Sequence, residues 1–167
     1  VLKDGKVHKI PYMATGYTYV NGKMYYFNTK SGAMKKGGWI SKKKSSPDRW
    51  RYATKSGALA SGWQKIGKKW YYFGNYDEET YTAATGWQVV NSKSYYFDLK
   101  KRTMVTGWKK LSGKWYHFAT SGAMDTNKWI GDYYVQADGV MVTNAWIGNK
   151  HVGSNGKVDK TRATTTA

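Results

Sequence analysis

The sequence predicts an all-β protein, a solenoid of stacked β-hairpins with a repeat of about 20 residues. Three observations predict it. A Gly-Trp pair recurs with its tryptophans at positions 39, 63, 87 and 108, which gives spacings of 24, 24 and 21 residues. Each unit holds two aromatic, strand-like segments around a short polar turn, and no segment shows a helical period. A unit this short must stack on its neighbours to bury a core.

The repeat extends beyond the four Gly-Trp pairs. Gly16-Tyr17, Lys128-Trp129 and Ala145-Trp146 are weaker echoes of the same position. We therefore predict a module of six to seven hairpin units over residues 16–159. Residues 1–15 are predicted to be a linker or an N-terminal cap, and residues 160–167 a flexible, Thr-rich tail.

The third unit shows the hairpin pattern most clearly. Gly62–Ile66 and Lys69–Phe73 are aromatic segments separated by the turn Gly67-Lys68, as expected for a β-hairpin. Other units have the dipeptides Asn21-Gly22, Asn91-Ser92 and Ser112-Gly113 at the same place. A second turn then leads through Gly-Ala-Met, or a variant of it, to the next Gly-Trp.

Alternation along the second strand separates two aromatic sets. Trp70 and Tyr72 share one face and Tyr71 and Phe73 the other, because side chains on a strand alternate. One set is expected to fill the core and the other to line grooves between hairpins. The turn methionines are expected to fill gaps in the core.

The units are not identical. The second has a long connection at Lys42–Asp48, and the third has an acidic insert at Asp77–Glu79. The sixth and seventh are shortened, as is typical of the capping repeats of a solenoid.

Composition restricts the function classes. With 9 Trp and 15 Tyr but few aliphatic residues, the aromatic side chains must supply most of the buried apolar area. No cysteine is present, so the chain has neither a disulfide nor a thiolate ligand. The net charge of +18 favours polyanionic partners: nucleic acid, anionic lipid or anionic cell-wall polymers. No apolar run spans a membrane, and Val1–Ile10 is not a signal peptide; we expect a mature product or an excised C-terminal module.

The residues offer little for catalysis. His8, His117 and His151 lie in different units, and no Ser-His-Asp set, paired carboxylate or metal-ligand spacing can be assembled. The insert at Asp77–Glu79 lacks the ordered spacing of a calcium loop. We therefore predict no enzyme activity, no cofactor and no metal in this chain; catalysis would belong to a separate domain of a parent protein.

The order Gly-Trp, hairpin turn, Trp-Tyr-Tyr-Phe, turn, Gly-Ala-Met, Gly-Trp resembles the choline-binding, or cell-wall-binding, repeat family. Such repeats occur in surface proteins, autolysins and phage lysins of Gram-positive bacteria, with relatives in glucan-binding domains and clostridial toxins. The resemblance covers Tyr17 to Gly156 and is best over Gly62–Trp87 and Gly107–Trp129. It implies a left-handed superhelix and ligand sites between consecutive repeats.

The resemblance implies that each site is an aromatic cage. Its walls would be the Gly-Trp tryptophan and the hairpin tryptophan of one repeat and the second tyrosine of the next, often completed by a turn methionine or leucine. Carried onto this sequence, the cages are Trp39, Trp50 and Tyr72 near Leu59; Trp63, Trp70 and Tyr96; and Trp108, Trp115 and Tyr134 with Met124. Ser94 and His117 depart from the pattern, so no cage is expected at Trp87. Tyr17, Met24 and Tyr52 offer a degenerate site at most.

The predicted function is a secreted, non-catalytic module that anchors a parent protein to choline-decorated teichoic or lipoteichoic acid at the bacterial cell wall. Ring faces attract a quaternary ammonium ion, and repeated cages on a repeated ligand give avidity. Two alternatives stay open. The same rings suit glucan or other wall carbohydrate, and basic residues interleaved with aromatics suit nucleic acid, although no nucleic-acid motif is present. The sequence leaves open whether the chain forms a homodimer.

Overall fold

The fold of the chain, taken from a computed structural model, is described for residues 2–3, 6–7, 13–41, 50–74 and 81–162. These parts contain strands and turns and no helix. The strands are β1 Leu2–Lys3, β2 Lys6–Val7, β3 Gly16–Val20, β4 Lys23–Phe27, β5 Gly38–Ser41, β6 Arg51–Ala53, β7 Gly62–Ile66, β8 Lys69–Phe73, β9 Gly86–Val90, β10 Lys93–Phe97, β11 Gly107–Leu111, β12 Lys114–Phe118, β13 Lys128–Ile130, β14 Tyr133–Val135, β15 Ala145–Ile147 and β16 Lys150–Val152.

Every strand pairs with its neighbour in sequence, which gives eight two-stranded sheets. The seven from β3–β4 to β15–β16 are the predicted hairpins, and we number them repeats 1 to 7. The all-β, repeated-hairpin class predicted from the sequence is thereby confirmed. Repeats 6 and 7 keep the hairpin although their strands have only three residues each.

The hairpin turns have the backbone that the sequence predicts. Asn21 and Gly22 both have positive φ, at 47° and 77°, and Ser112 and Gly113 follow at 47° and 83°. Positive φ at both central residues is the type I′ geometry, whose twist matches that of the two strands. Asn and Gly adopt positive φ at low cost, so these dipeptides help to fix the register of the hairpins in repeats 1 and 5.

Backbone hydrogen bonds tie the apolar turn residue after one repeat to the repeat before it. The amide of Met141, which follows repeat 6, donates to the carbonyl of Trp115 in repeat 5 over 2.8 Å. Met124 and Ser94 are joined in the same way over 2.8 Å, as are Leu59 and Met24. These bonds hold consecutive repeats in one fixed register.

Apolar residues that recur at one position of the hairpin form the core of each unit. The last residue of the second strand is almost fully buried in repeats 2 to 7, namely Ala53, Phe73, Phe97, Phe118, Val135 and Val152. The turn methionines pack beside it. Met141 lies against Gly156, where any Cβ would clash with its thioether and where φ is +79°. Glycine is favoured there by the left-handed backbone, and the thioether occupies the space that a Cβ would take.

The chain divides into two compact units. Unit 1 is Val1–Ile66 with Tyr72–Ala83, and unit 2 is Gly67–Tyr71 with Ala84–Ala167. The connection at Lys42–Asp48 and the insert at Asp77–Glu79 lie outside the described residues. So do most of the predicted linker or cap (1–15) and positions 163–167 of the predicted tail. Nowhere in the described residues is there a helix able to cross a membrane.

Candidate functional site

The hairpin of repeat 5 presents two different faces. Trp108 lies opposite His117, and Lys110 lies opposite Trp115. Because directly opposed residues share a face and the next residues point the other way, these four side chains form one face. Tyr116 and Phe118 lie on the other. In this hairpin we call the first the tryptophan face and the second the tyrosine face, and the same names are used for the equivalent faces of the other repeats.

The tryptophan face of repeat 5 meets the tyrosine face of repeat 6. The rings of Trp108 and Tyr133 lie edge to face, with centroids 5.4 Å apart and an interplanar angle of 67°. The hydrogen bond from Met141 to the Trp115 carbonyl brings the thioether of Met141 to the same place. Three rings and a sulfur thus converge between two repeats.

These groups line an open pocket of about 260 Å³. Its lining residues are Trp108, Trp115, Tyr133, Met141 and Asn155, and we call it the Trp108 pocket. Trp115 is 40% exposed, so an indole face is available to solvent at the mouth. The ring faces suit a cation or an apolar group, and Asn155 adds an amide that can donate or accept a hydrogen bond.

A polar cluster lies beside Trp108 on its own hairpin. The His117 ring lies 5.0 Å from the Trp108 ring, centroid to centroid. Its Nδ1 donates to Asp125 over 2.6 Å, and Lys128 donates to the other carboxylate oxygen over 3.1 Å. Burial raises the pKa of Asp125, but these hydrogen bonds outweigh it and hold the pKa below its ordinary value. An ionised Asp125 therefore orients His117 against Trp108.

The structure places two of the expected residues elsewhere. Tyr134 lies opposite Trp129 in its own hairpin, with the rings 5.2 Å apart, while Tyr133 reaches the Trp108 pocket. Met124 belongs one repeat earlier, because its amide bonds to Ser94. The reason is alternation. The second tyrosine of a strand shares a face with the tryptophan of its own repeat, so the first tyrosine meets the preceding repeat.

The same reasoning changes the interpretation of Trp87. Its ring lies 5.1 Å from that of Tyr116, the first tyrosine of the next repeat, and it is 43% exposed. We call the junction of two consecutive repeats a step. At the step from repeat 4 to repeat 5, His117 is not one of the meeting residues, so only Ser94 departs from the aromatic pattern. Two aromatic walls remain where the sequence led us to expect no cage.

In unit 1, Trp39 and Trp50 come together as expected. Their rings lie 5.3 Å apart, edge to face. Tyr72 packs on Trp63 of its own hairpin, with the rings 5.2 Å apart. From the same strand, the ring of Phe73 reaches Trp39, with the centroids 6.0 Å apart.

The residues expected to form the cage at Trp63 do not all belong to one unit. Trp63 is in unit 1, whereas Trp70 and Tyr96 are in unit 2. Tyr96 packs on Trp87 of its own hairpin, with the rings 5.3 Å apart. Trp70 is 41% exposed, and its carbonyl accepts a hydrogen bond from Met104 over 2.9 Å, as that of Trp115 does from Met141.

Comparison with known families gives three matches. Residues 84–129 and 123–158 each match a family described as a choline-binding repeat, and residues 61–77 match a putative cell wall binding repeat. No curated protein matches the chain. The matched residues include every member of the Trp108 pocket.

Solved structures from Streptococcus pneumoniae have the same fold. CbpJ is 29% identical with a TM-score of 0.75, and the match covers 87% of this chain and 48% of CbpJ. Choline binding protein F is 31% identical with a TM-score of 0.60, covering 88% of this chain and 58% of that one. CbpF in complex with ipratropium matches at 30% identity and a TM-score of 0.61, covering 88% and 60%. This chain thus spans about half the length of CbpJ and less than two thirds of CbpF.

Proposed function

Since the chain belongs to the choline-binding repeat family, we propose that it is a non-catalytic module that attaches a parent protein to choline-bearing teichoic or lipoteichoic acid. The site of action would be the surface of a Gram-positive bacterium. The observation that carries this proposal is the Trp108 pocket, in which two tryptophans, a tyrosine and a methionine of successive repeats meet.

The chemistry of the Trp108 pocket suits a quaternary ammonium group. Such a group cannot donate a strong hydrogen bond, and aromatic faces attract it through their quadrupoles. Each ring contributes about 0.5–2 kcal/mol. Three rings give a few kcal/mol, so a single pocket would hold choline with a dissociation constant of about 1 mM.

A lysine beside the pocket reconciles the basic chain with a cationic headgroup. Lys110 lies directly across the strand from Trp115 and is exposed. Opposed side chains begin only about 5 Å apart, so an ammonium group at Trp115 would bring an attached phosphate towards Lys110. The net charge of +18 then attracts the phosphates of the polymer while the rings take its headgroups.

The structural relatives support the same class of ligand. CbpF has been solved in complex with ipratropium, a quaternary ammonium compound. It has also been solved in the presence of a peptidoglycan analogue, in a structure to which this chain is 31% identical with a TM-score of 0.59. Repetition adds a further argument, because several weak sites on one polymer bind together far more tightly than each alone.

The test is a choline titration followed by tryptophan fluorescence. Wild type should show a saturable change at millimolar choline and an increase in melting temperature, since a ligand that binds the folded state stabilises it. Trp115→Ala should weaken binding about 2- to 30-fold, from the contribution of one ring. Trp146→Ala is the matched control: Trp146 is 49% exposed, against 40% for Trp115, and is absent from the pocket lining.

Sedimentation with Gram-positive cell walls separates the alternatives. If the chain sediments with walls and free choline does not displace it, the ligand is another wall component, such as a glucan. Binding to nucleic acid that falls steeply with salt and ignores choline would favour the nucleic-acid alternative. If neither choline nor walls bind, the proposal is wrong.

A further inference from the structure

The position that Tyr133 occupies at the Trp108 pocket holds a cation at two other steps. That position is the first residue of the Tyr-Tyr pair in the following repeat. In repeat 7 it is Lys150, since Lys150, His151 and Val152 correspond to Tyr133, Tyr134 and Val135. In repeat 2 it is Arg51, ahead of Tyr52 and Ala53.

Lys150 lies over the tryptophan of the preceding repeat. Its Nζ is 4.9 Å from the centre of the Trp129 ring, which is within the range of a cation–π contact. The surrounding backbone repeats the Trp108 pocket, because the amide of Val158 donates to the carbonyl of Asp132 over 2.9 Å, as Met141 does to Trp115. The backbone hydrogen bond between repeats is therefore the same at both places, and at Trp129 the ammonium group of Lys150 lies on the ring.

Asp132 strengthens the likeness to a cation site. It stands where Trp115 stands in repeat 5, so the equivalent hairpin position has a carboxylate instead of a ring. Lys157 lies 3.9 Å from one of its oxygens. A carboxylate and an indole face both attract an ammonium ion. Both groups therefore favour a cation. Lys157 lies beside Asp132, and Lys150 lies over Trp129.

Arg51 makes the matching contact in unit 1, between repeats 1 and 2. Its guanidinium carbon is 4.4 Å from the centre of the Tyr17 ring, and Tyr17 is the repeat 1 equivalent of Trp108. The amide of Leu59 donates to the carbonyl of Met24 here, as the amide of Met141 donates to the carbonyl of Trp115 beside the Trp108 pocket. Both steps thus have the same backbone hydrogen bond between repeats and a side-chain cation on the aromatic ring, Lys150 on Trp129 and Arg51 on Tyr17.

We propose that Trp129 and Tyr17 mark two further binding positions for an organic ammonium group, each closed by the chain's own cation, Lys150 or Arg51. The ligand class rests on the proposed function of the Trp108 pocket. A tethered cation acts at an effective concentration of millimolar or more, so it competes well with a free ligand that binds at millimolar. Removing the tethered cation should open the position.

Lys150 gives the more direct test, because it is exposed and lies in a short hairpin. Choline equivalents per chain would be counted by equilibrium dialysis. Lys150→Tyr supplies the wall that Tyr133 forms in the Trp108 pocket and should bind one equivalent more than wild type. Adding Trp129→Ala should remove that equivalent. Lys101→Ala, which removes one exposed lysine from a turn, controls for net charge and should leave the number unchanged.

A measurement on wild type avoids any dependence on the variants. The indole N–H resonance of Trp108 should shift with choline while that of Trp129 stays in place at the same concentrations. A shift of Trp129 together with Trp108, or a folded Lys150→Tyr with no added equivalent, would overturn this inference. Failure of the proposed function looks different, since the Trp108 resonance would then not respond at all.

Discussion

Exchanging either tyrosine of repeat 6 for alanine distinguishes the two possible designs of the site. Tyr133 packs on Trp108 with the rings 5.4 Å apart, and Tyr134 packs on Trp129 at 5.2 Å. Both rings are half-buried. The two substitutions therefore remove the same group from adjacent positions in similar surroundings, and they differ in the face of the hairpin on which the ring lies.

The structure gives the expected size of each effect. Tyr133→Ala removes one of three rings from the Trp108 pocket and should cost about 0.5–2 kcal/mol of binding free energy, which corresponds to a dissociation constant about 2- to 30-fold higher. Tyr134→Ala leaves all three rings in place and should change the dissociation constant less than about twofold. Each variant also loses one aromatic pair, so both should lose about 1–3 kcal/mol of folding stability.

The assay is the fluorescence titration with choline, with thermal unfolding of each variant recorded alongside. Similar losses in melting temperature would show that the two substitutions perturb the fold equally. Any difference in affinity then reports on the site. A larger loss of affinity in Tyr134→Ala than in Tyr133→Ala would refute the assignment of faces made here and restore the assignment implied by family resemblance.

Two further predictions concern the groups around the Trp108 pocket. Lys110→Ala should weaken phosphocholine binding several-fold and leave choline binding unchanged, because Lys110 lies across the strand from Trp115; equal losses for both ligands would contradict a phosphate contact. Asp125→Asn should cost about 1–3 kcal/mol at neutral pH, since it weakens the hydrogen bonds from His117 and Lys128. Because the pKa of Asp125 is lowered in the folded state, this stability is present above its ordinary pKa of about 3.9 and is lost as pH falls through the folded pKa. Urea unfolding from pH 7 to pH 2 should therefore show wild type and variant converging in acid, and a constant difference would contradict the role given to the carboxylate.

The sequence was sufficient for the fold because its signals are local. Gly-Trp spacing, polar dipeptide turns and two-residue alternation each act within one hairpin. Asn21-Gly22 and Ser112-Gly113 have the positive φ angles that a two-residue turn requires. A prediction that depends only on the next few residues is not altered by how the hairpins later stack.

The site was harder to predict because it forms between hairpins. Alternation put the two tyrosines of a strand on opposite faces but did not show which face the preceding repeat would meet. The cross-strand register decides it, since Tyr134 is held opposite Trp129 and only Tyr133 is left to cover Trp108. For the same reason the thioether at the Trp108 pocket belongs to Met141, one repeat later than the expected Met124. Both assignments needed the hydrogen bonds between repeats.

Stacking also explains how similar repeats can differ in what they hold. The frame of backbone bonds is constant, so each step is decided by two side chains: the hairpin position of one repeat and the first tyrosine position of the next. Trp115 with Tyr133 leaves an open aromatic pocket. Serine at the first position leaves two aromatic walls at Trp87. At Trp129 both positions differ, with Asp132 at the first and Lys150 at the second, and the lysine lies over the ring. The described repeats therefore differ at these two positions, while the last residue of the second strand stays buried and apolar in repeats 2 to 7.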